Sequence, residues 1–447
     1  MKRIAIGLTA YDAKELGHRS VELSANGPSR LFRADEREDA SLLTSAQSPL
    51  ASLPANSLIT VSAQGGTLKF KGLDLEAGQR LSKVILKASE AGIRLFVRFP
   101  PSNKPGRSYV GEIVVLAENS SVRVFVQCSM EEYLLGVLSS EVPARYHLEA
   151  IKAQAIAART YALHPRIDHH LDRCHVCDSF LCCQAFFGYL PQRQGPYSQA
   201  IEETKGQVMI FEDKPILALF SSCAGGHTEN YESCFSDIGS NAFPPPPIPY
   251  LKGVPEGRLP ADYGFHPDEK ALASLWHSPS PLTADAWTPQ FKWSINLLID
   301  SLEANMHHVI EKMLNNSELA PFVIPSRLAI FGEIKSFQVE DRGVGGTAMS
   351  LAINTSKGTW IFRKEIVIRR VFENHEIKLP RLRSARIYFE HRRDATGSLL
   401  DLTIYGLGSG HGVGLQQTGA EGFARNGGMN CQAILNHYYQ GIRIAQT

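Results

Sequence analysis

Every second residue from Gly406 to Gly414 is glycine, in the run Gly406-Leu407-Gly408-Ser409-Gly410-His411-Gly412-Val413-Gly414. Glycine lets a backbone approach its neighbours closely and take positive φ, so the run reads as a tight turn. It is not a P-loop, because no Gly-Lys-Ser/Thr follows, and no strand with an acidic partner frames it as a dinucleotide fingerprint. The imidazole at its centre points instead to a loop that lines a cleft.

The rest of the chain reads as α+β. Short apolar runs at Arg3–Leu8, Leu58–Ala63, Thr67–Phe70 and Ile93–Phe99, separated by Gly, Pro, Ser and Asn, predict a β-rich region over 1–115. Strands at Gly111–Ala117 and Val122–Gln127 then give way to helical periodicity. Ser129-Met130-Glu131-Glu132 has the form of a capping box. Leu134, Leu135, Val137 and Leu138 supply an apolar face, and Pro143 ends the helix after Glu141. A second helix, Leu148 to Leu163, has an alanine-rich stripe that predicts close packing, and Pro165 stops it. Tyr197–Thr204 reads as a helix, and Val208–Phe211 and Ile216–Ser221 as strands, completing a core over 116–243. The Phe243–Pro249 segment, five of whose seven residues are proline, reads as a stiff connector. An insert over 244–402 opens with a helical run from Trp287 to Leu319, where Ile295, Leu298, Ile299 and Leu302 have helical spacing, and continues strand-rich. Residues 403–447 hold the glycine run and two short helices, Gln416–Arg425 and Cys431–Tyr438. The insert must leave and return to one core, so Glu141 and His411 are expected to face one cleft.

Charge removes some function classes. Lys plus Arg total 46 against 45 for Asp plus Glu, a formal charge of +1. Nonspecific nucleic-acid binding needs an excess of cations to neutralise phosphates, so no nucleic-acid partner is expected. No apolar stretch approaches the ~20 residues of a membrane span. The start, Lys2-Arg3 followed by Ile4 to Ala10, reads as a first β-strand rather than a signal peptide.

Two further places carry chemistry. Glu141 lies at a helix-to-helix corner beside Val142 and Pro143, where an apolar setting disfavours the charged form and suits a general acid. A cap or salt bridge at the corner is the alternative. Cys174, Cys177, Cys182 and Cys183 fall within ten residues, close to His169, His170 and His175. That set supplies enough N and S donors for tetrahedral zinc. A disulfide among the nearer cysteines, or a nucleophilic Cys183 working with a distant histidine, fits the same composition.

Taken together and in order, these pieces resemble the stage II sporulation protein D family, also called the amidase enhancer family. The resemblance rests on Tyr133-Leu134-Leu135-Gly136-Val137 leading to Ser140-Glu141-Val142-Pro143, and on the run from Glu149 through Lys152-Ala153-Gln154-Ala155 to Arg159-Thr160-Tyr161-Ala162-Leu163. It continues through Cys177-Asp178 to Cys183-Gln184, Gly225-Gly226-His227-Thr228-Glu229, the run from Gly408 to Gly419, and Ile434 to Gly441. It implies an extracytoplasmic lytic transglycosylase acting on peptidoglycan glycan strands stripped of stem peptides, with Glu141 as the acid. It also implies one structural zinc ion held by a His and two Cys, which map onto Cys177 and Cys183. The family's His position falls on Leu171, which cannot ligate, so His170 is the expected ligand, with Cys174 or Cys223 substituting or adding a fourth. Arg159, Tyr161, Gln184, Gly410, His411, Gly412 and Gln417 are the implied cleft residues, and a cell-wall amidase is an implied partner. Ser409 and Leu415-Gln416-Gln417-Thr418 depart from the family pattern. A non-catalytic glycan-binding protein and a cysteine hydrolase using Cys183 with His411 are the other two readings.

Overall fold

A computed structural model describes the chain except for residues 1–2, 11–14, 35–47, 76–78, 103, 166–172, 190–194, 238, 262, 265, 280–281 and 328–329. The fold is mixed α+β, as expected from the sequence. The chain forms two compact units: Met1–Val208 with Lys214–Leu217 and Ala445–Thr447, and Met209–Asp213 with Ala218–Ile444.

In the first unit, strand Arg3–Gly7 pairs antiparallel with Ser121–Ser129 and parallel with Val176–Cys177, which puts Gly7 opposite Cys177. The sheet continues through Glu112–Glu118, Lys83–Ala88, Ser29–Arg33 and Ala51–Leu53. Successive strand residues point to opposite faces, and here both faces are covered. Ile4, Ile6, Val122, Val124 and Val126 enter the main core with Val21, Leu23, Ile59 and Val61 of a second, five-stranded sheet. Ala5, Val114 and Phe125 face the other way, onto Cys174 and Cys177. The period of two thus builds the floor on which the cysteine loop lies.

Two helices follow as the sequence predicts: α1, Met130–Glu141, and α2, Leu148–Leu163. Ser129 closes the capping box, its Oγ accepting from the Glu132 amide while Glu132 Oε2 accepts from the Ser129 amide at 2.8 Å. At the far end Val142 is extended (φ −127°, ψ 143°), as a residue before proline should be. Ala155, Ala158 and Ala162 join the main core, where small side chains let α2 approach α1 closely.

The second unit contains a four-stranded sheet (Val323–Ile324, Gly358–Arg363, Ala348–Thr355, Ile334–Arg342) and a three-stranded one (Lys292–Leu298, Leu399–Leu407, Ile387–Arg393). Helix Ile299–Leu314 covers their shared core through Leu302, Met306, Val309, Ile310 and Met313. The helix expected from Trp287 therefore begins only at Ile299. Lys292–Leu298 is a strand because Trp293, Ile295 and Leu297 also alternate, and Leu399–Leu407 offers that alternation a seven-residue pairing edge. Similarly, Ile216–Ser221 is not one strand. Only Phe220–Ser221 pairs, in parallel with Leu415–Gln416.

Candidate active site

The corner after α1 is built by tying its last residues to the cysteine loop. Ala185 donates its N–H to Glu141 Oε1 at 2.7 Å, and Phe187 donates its N–H to Ser140 Oγ at 3.1 Å. Gly136 lets the loop close in, since a Cβ there would lie 2.7 Å from Phe186 Cδ2. From the other side the Tyr197 hydroxyl donates to the Val142 carbonyl at 2.6 Å. Glu141 itself is half-buried. A carboxylate at a helix end, reached by one backbone amide of a folded-back loop, is held in place and still reachable.

Three residues expected to line a cleft in this unit are engaged in links between its elements. Arg159 is 1% exposed, its Nη2 on Glu131 Oε2 at 2.8 Å and its Nη1 on the Gln207 carbonyl at 3.2 Å. Gln184 is buried and donates through Nε2 to the Tyr133 hydroxyl at 2.6 Å and to the Ala158 carbonyl at 3.3 Å. The Tyr161 hydroxyl donates to the Cys182 carbonyl at 3.5 Å. They brace α1, α2 and the cysteine loop against one another.

The sulfurs of Cys177, Cys182 and Cys183 all lie within 4.8 Å of one another, and the Cys177 amide donates to Cys183 Sγ at 3.4 Å. In tetrahedral zinc with Zn–S near 2.3 Å, thiolates stand about 3.8 Å apart, so small side-chain adjustments fit this group to a metal. Cys177 and Cys183 come together as the sequence implies. Cys182 joins them, which reading the family spacing alone passed over. His170 falls outside the described residues. Cys174 is buried beside Cys177 but is not one of the three clustered sulfurs, and Cys223 belongs to the second unit, donating to Asp285 Oδ2 at 3.5 Å. None of the eight cysteines, all of them among the described residues, is joined in a disulfide.

Asp178, next to Cys177, is a buried hub that sequence reasoning missed. It accepts from the Thr9 amide at 2.8 Å, from Thr9 Oγ1 at 2.7 Å and from Arg107 Nη1 at 2.9 Å. Burial pushes its carboxyl up to about 6 against the pull of those donors.

In the second unit the glycine run is a chain of left-handed residues: Gly408, Gly410, Gly412 and Gly414 have φ of +75°, +103°, +77° and +72°. It lies against Leu219–Gly225, so close that a Cβ on Gly408 would come 2.6 Å from the Cys223 carbonyl oxygen. Gly410 donates its N–H to the Arg383 carbonyl at 2.8 Å and Gly412 donates its own to Ser221 Oγ at 3.1 Å. Gln417 is buried at the start of helix Gln417–Arg425. His411 accepts the Val413 amide on Nδ1 at 3.0 Å and also bonds the Phe220 backbone. With its ring held by backbone on both counts, His411 shapes this loop and has little freedom to serve a thiol as base.

Burial, with the charge of Arg369 adding to it, pulls His411 down to about 4. A histidine depressed from 6.5 contributes stability that is complete above 6.5 and lost as pH falls toward 4. Asp178 works in the opposite sense. Raised from 3.8 to about 6, it contributes stability present below 3.8 and lost as pH rises through about 6. Proton NMR titration is expected to find the His411 ring still neutral at about pH 5.5. A midpoint near 6.5 would mean a solvated ring and a loop more open than described.

Comparison with known proteins bears on both units. The family described as stage II sporulation protein matches residues 118–211, and a domain of unknown function (DUF8618) matches residues 240–414. Stage II sporulation protein D of Bacillus amyloliquefaciens is 28% identical over 334 residues, covering 71% of this chain and 74% of that protein. Its counterpart in Bacillus subtilis is 26% identical, covering 71% and 75%. The amidase enhancer of Bacillus subtilis is 27% identical over 315 residues, 70% of this chain but 40% of that longer protein. The matched span 118–211 contains α1, α2, the Glu141 corner and the three clustered cysteines, so the site and the sequence likeness coincide. Residues 118–211 thus match the stage II sporulation protein family, and over about seven-tenths of its length the chain is similar to stage II sporulation protein D and the amidase enhancer.

Proposed function

We propose that this protein acts on the bacterial cell wall as a lytic transglycosylase, cleaving the bond between N-acetylmuramic acid and N-acetylglucosamine in glycan strands stripped of stem peptides. The observation that carries this reading is the Glu141 corner, a half-buried carboxylate at the end of α1 pinned through Ala185. Glycosidases that use water need two carboxylates. A transglycosylase needs one, because the attacking hydroxyl belongs to the substrate. Protonated Glu141 donates to the oxygen leaving C1 of the muramic acid residue. The resulting carboxylate takes the proton of the C6 hydroxyl as that oxygen closes the 1,6-anhydro ring, and no water is consumed.

Cys177, Cys182 and Cys183 are the residues that would hold zinc, with His170 the expected further ligand. With zinc held there, the three cysteines would cross-link the loop that delivers Ala185 and Phe187 to the corner. Gln184 and Tyr161 act as positioning residues by holding that loop, and Arg159 by joining α2 to the start of α1 through Glu131. Work on the wall places the protein outside the cytoplasm, and among the described residues no helix is long and apolar enough to cross a membrane. A cell-wall amidase is the proposed partner.

Mass spectrometry of purified denuded strands after incubation tests the reading. Products are expected to carry 1,6-anhydro ends, lighter by one water than hydrolytic products. Reducing ends would make water the nucleophile and require a second carboxylate. Strands bound but left intact would leave the chain a non-catalytic wall-binding protein.

A further inference from the structure

Phe186 and Phe187 are neighbours with opposite fates. Phe186 is 4% exposed and packs against Tyr133 and Tyr109, whereas Phe187 is 38% exposed. An exposed phenylalanine alone means nothing. This one is held on two sides. Its amide donates to Ser140 Oγ at 3.1 Å, one residue from Glu141. Against its ring lies the Arg107 guanidinium, whose carbon is 4.9 Å from the ring centroid. Arg107 is fixed in turn by Asp178 at 2.9 Å, and Asp178 is 1% exposed and clamped by Thr9. The order needed for binding is thus in place before a ligand arrives, which removes much of the entropic cost of capture.

We infer that Phe187, backed by Arg107, is a stacking platform for one pyranose ring of the glycan, seated beside Glu141. A hexopyranose is amphipathic in the required way, with C–H bonds on one face and hydroxyl and acetamido groups around the edge. The C–H face meets the electron-rich face of the ring, and the polar edge stays in water. One residue, Phe186, separates Ala185, which reaches Glu141, from Phe187, whose amide is tied to Ser140, so a sugar on the platform is seated next to the acid's corner. The inference rests on the glycan reading above and assigns a binding residue to it.

The experiment measures binding of a denuded tetrasaccharide of alternating N-acetylglucosamine and N-acetylmuramic acid to the zinc-loaded Glu141→Gln protein, which leaves the ligand uncut. Adding Phe187→Ala is expected to weaken binding about 10-fold, the size of one good aromatic contact. Phe187→Tyr should restore it. Phe187→Leu, which keeps apolar bulk without a π face, should bind like the alanine variant and guards against a packing defect. Parent-like binding by the alanine or the leucine variant would overturn the platform while leaving the glycan reading intact. Failure of the Glu141→Gln parent to bind the tetrasaccharide would remove that reading, and the platform with it.

Discussion

Glu141→Gln lowers turnover of denuded strands by at least ~10²-fold, the low end for losing general acid catalysis. Glutamine keeps the shape of the side chain, and its carbonyl oxygen still accepts the Ala185 amide that Glu141 Oε1 accepts now at 2.7 Å. The loop therefore stays anchored, and melting temperature and zinc content are expected to match the parent. What glutamine lacks is a proton to give to the leaving oxygen and a basic site to take one back from the C6 hydroxyl. Loss of turnover with an unchanged fold separates these roles. A fully active variant would reduce Glu141 to an anchor for the loop and end the single-carboxylate mechanism.

Replacing both Cys177 and Cys183 by serine is expected to abolish binding of the proposed zinc ion. Protein purified without chelator is expected to carry about one zinc equivalent, and the double variant none, with a clearly lower melting temperature, because metal affinity is linked to folding. The loss is local in origin. Cys177 pairs with Gly7 at the edge of the first sheet, and the irregular loop behind it has few backbone ladders of its own. Without a metal to share, the sulfurs would no longer tether the loop that brings Ala185 and Phe187 to α1. Cys182→Ser alone should weaken metal binding without abolishing it. A parent with no metal, or a Cys177–Cys183 disulfide in metal-replete protein, would refute the site.

Local chemistry made much of the first unit readable. The Ser129 capping box, the apolar face of α1, the stop before Pro143 and the alanine stripe of α2 all act within a few residues, so a sequence carries them whole. The same holds for the period-2 strands around Arg3–Gly7 and Ser121–Ser129, and for the order of pieces that betrays the family. Lys292–Leu298 shows where this fails. Its apolar residues suit helical spacing and alternation alike, and the choice lay with Leu399–Leu407, about a hundred positions away.

The site divides along the same line. That Glu141 ends a helix, and that Cys177 and Cys183 belong together, was legible from spacing and family likeness. That Cys182 turns its sulfur toward them was not, because adjacent residues in irregular backbone have no period to follow. Nor could spacing show that Arg159 is spent on Glu131, or that both sides of the His411 ring are engaged by backbone. A side chain's partners are decided by packing between segments far apart in sequence. Ala185 reaching Glu141 across 44 positions, and Thr9 reaching Asp178 across 169, exist only once the chain has folded.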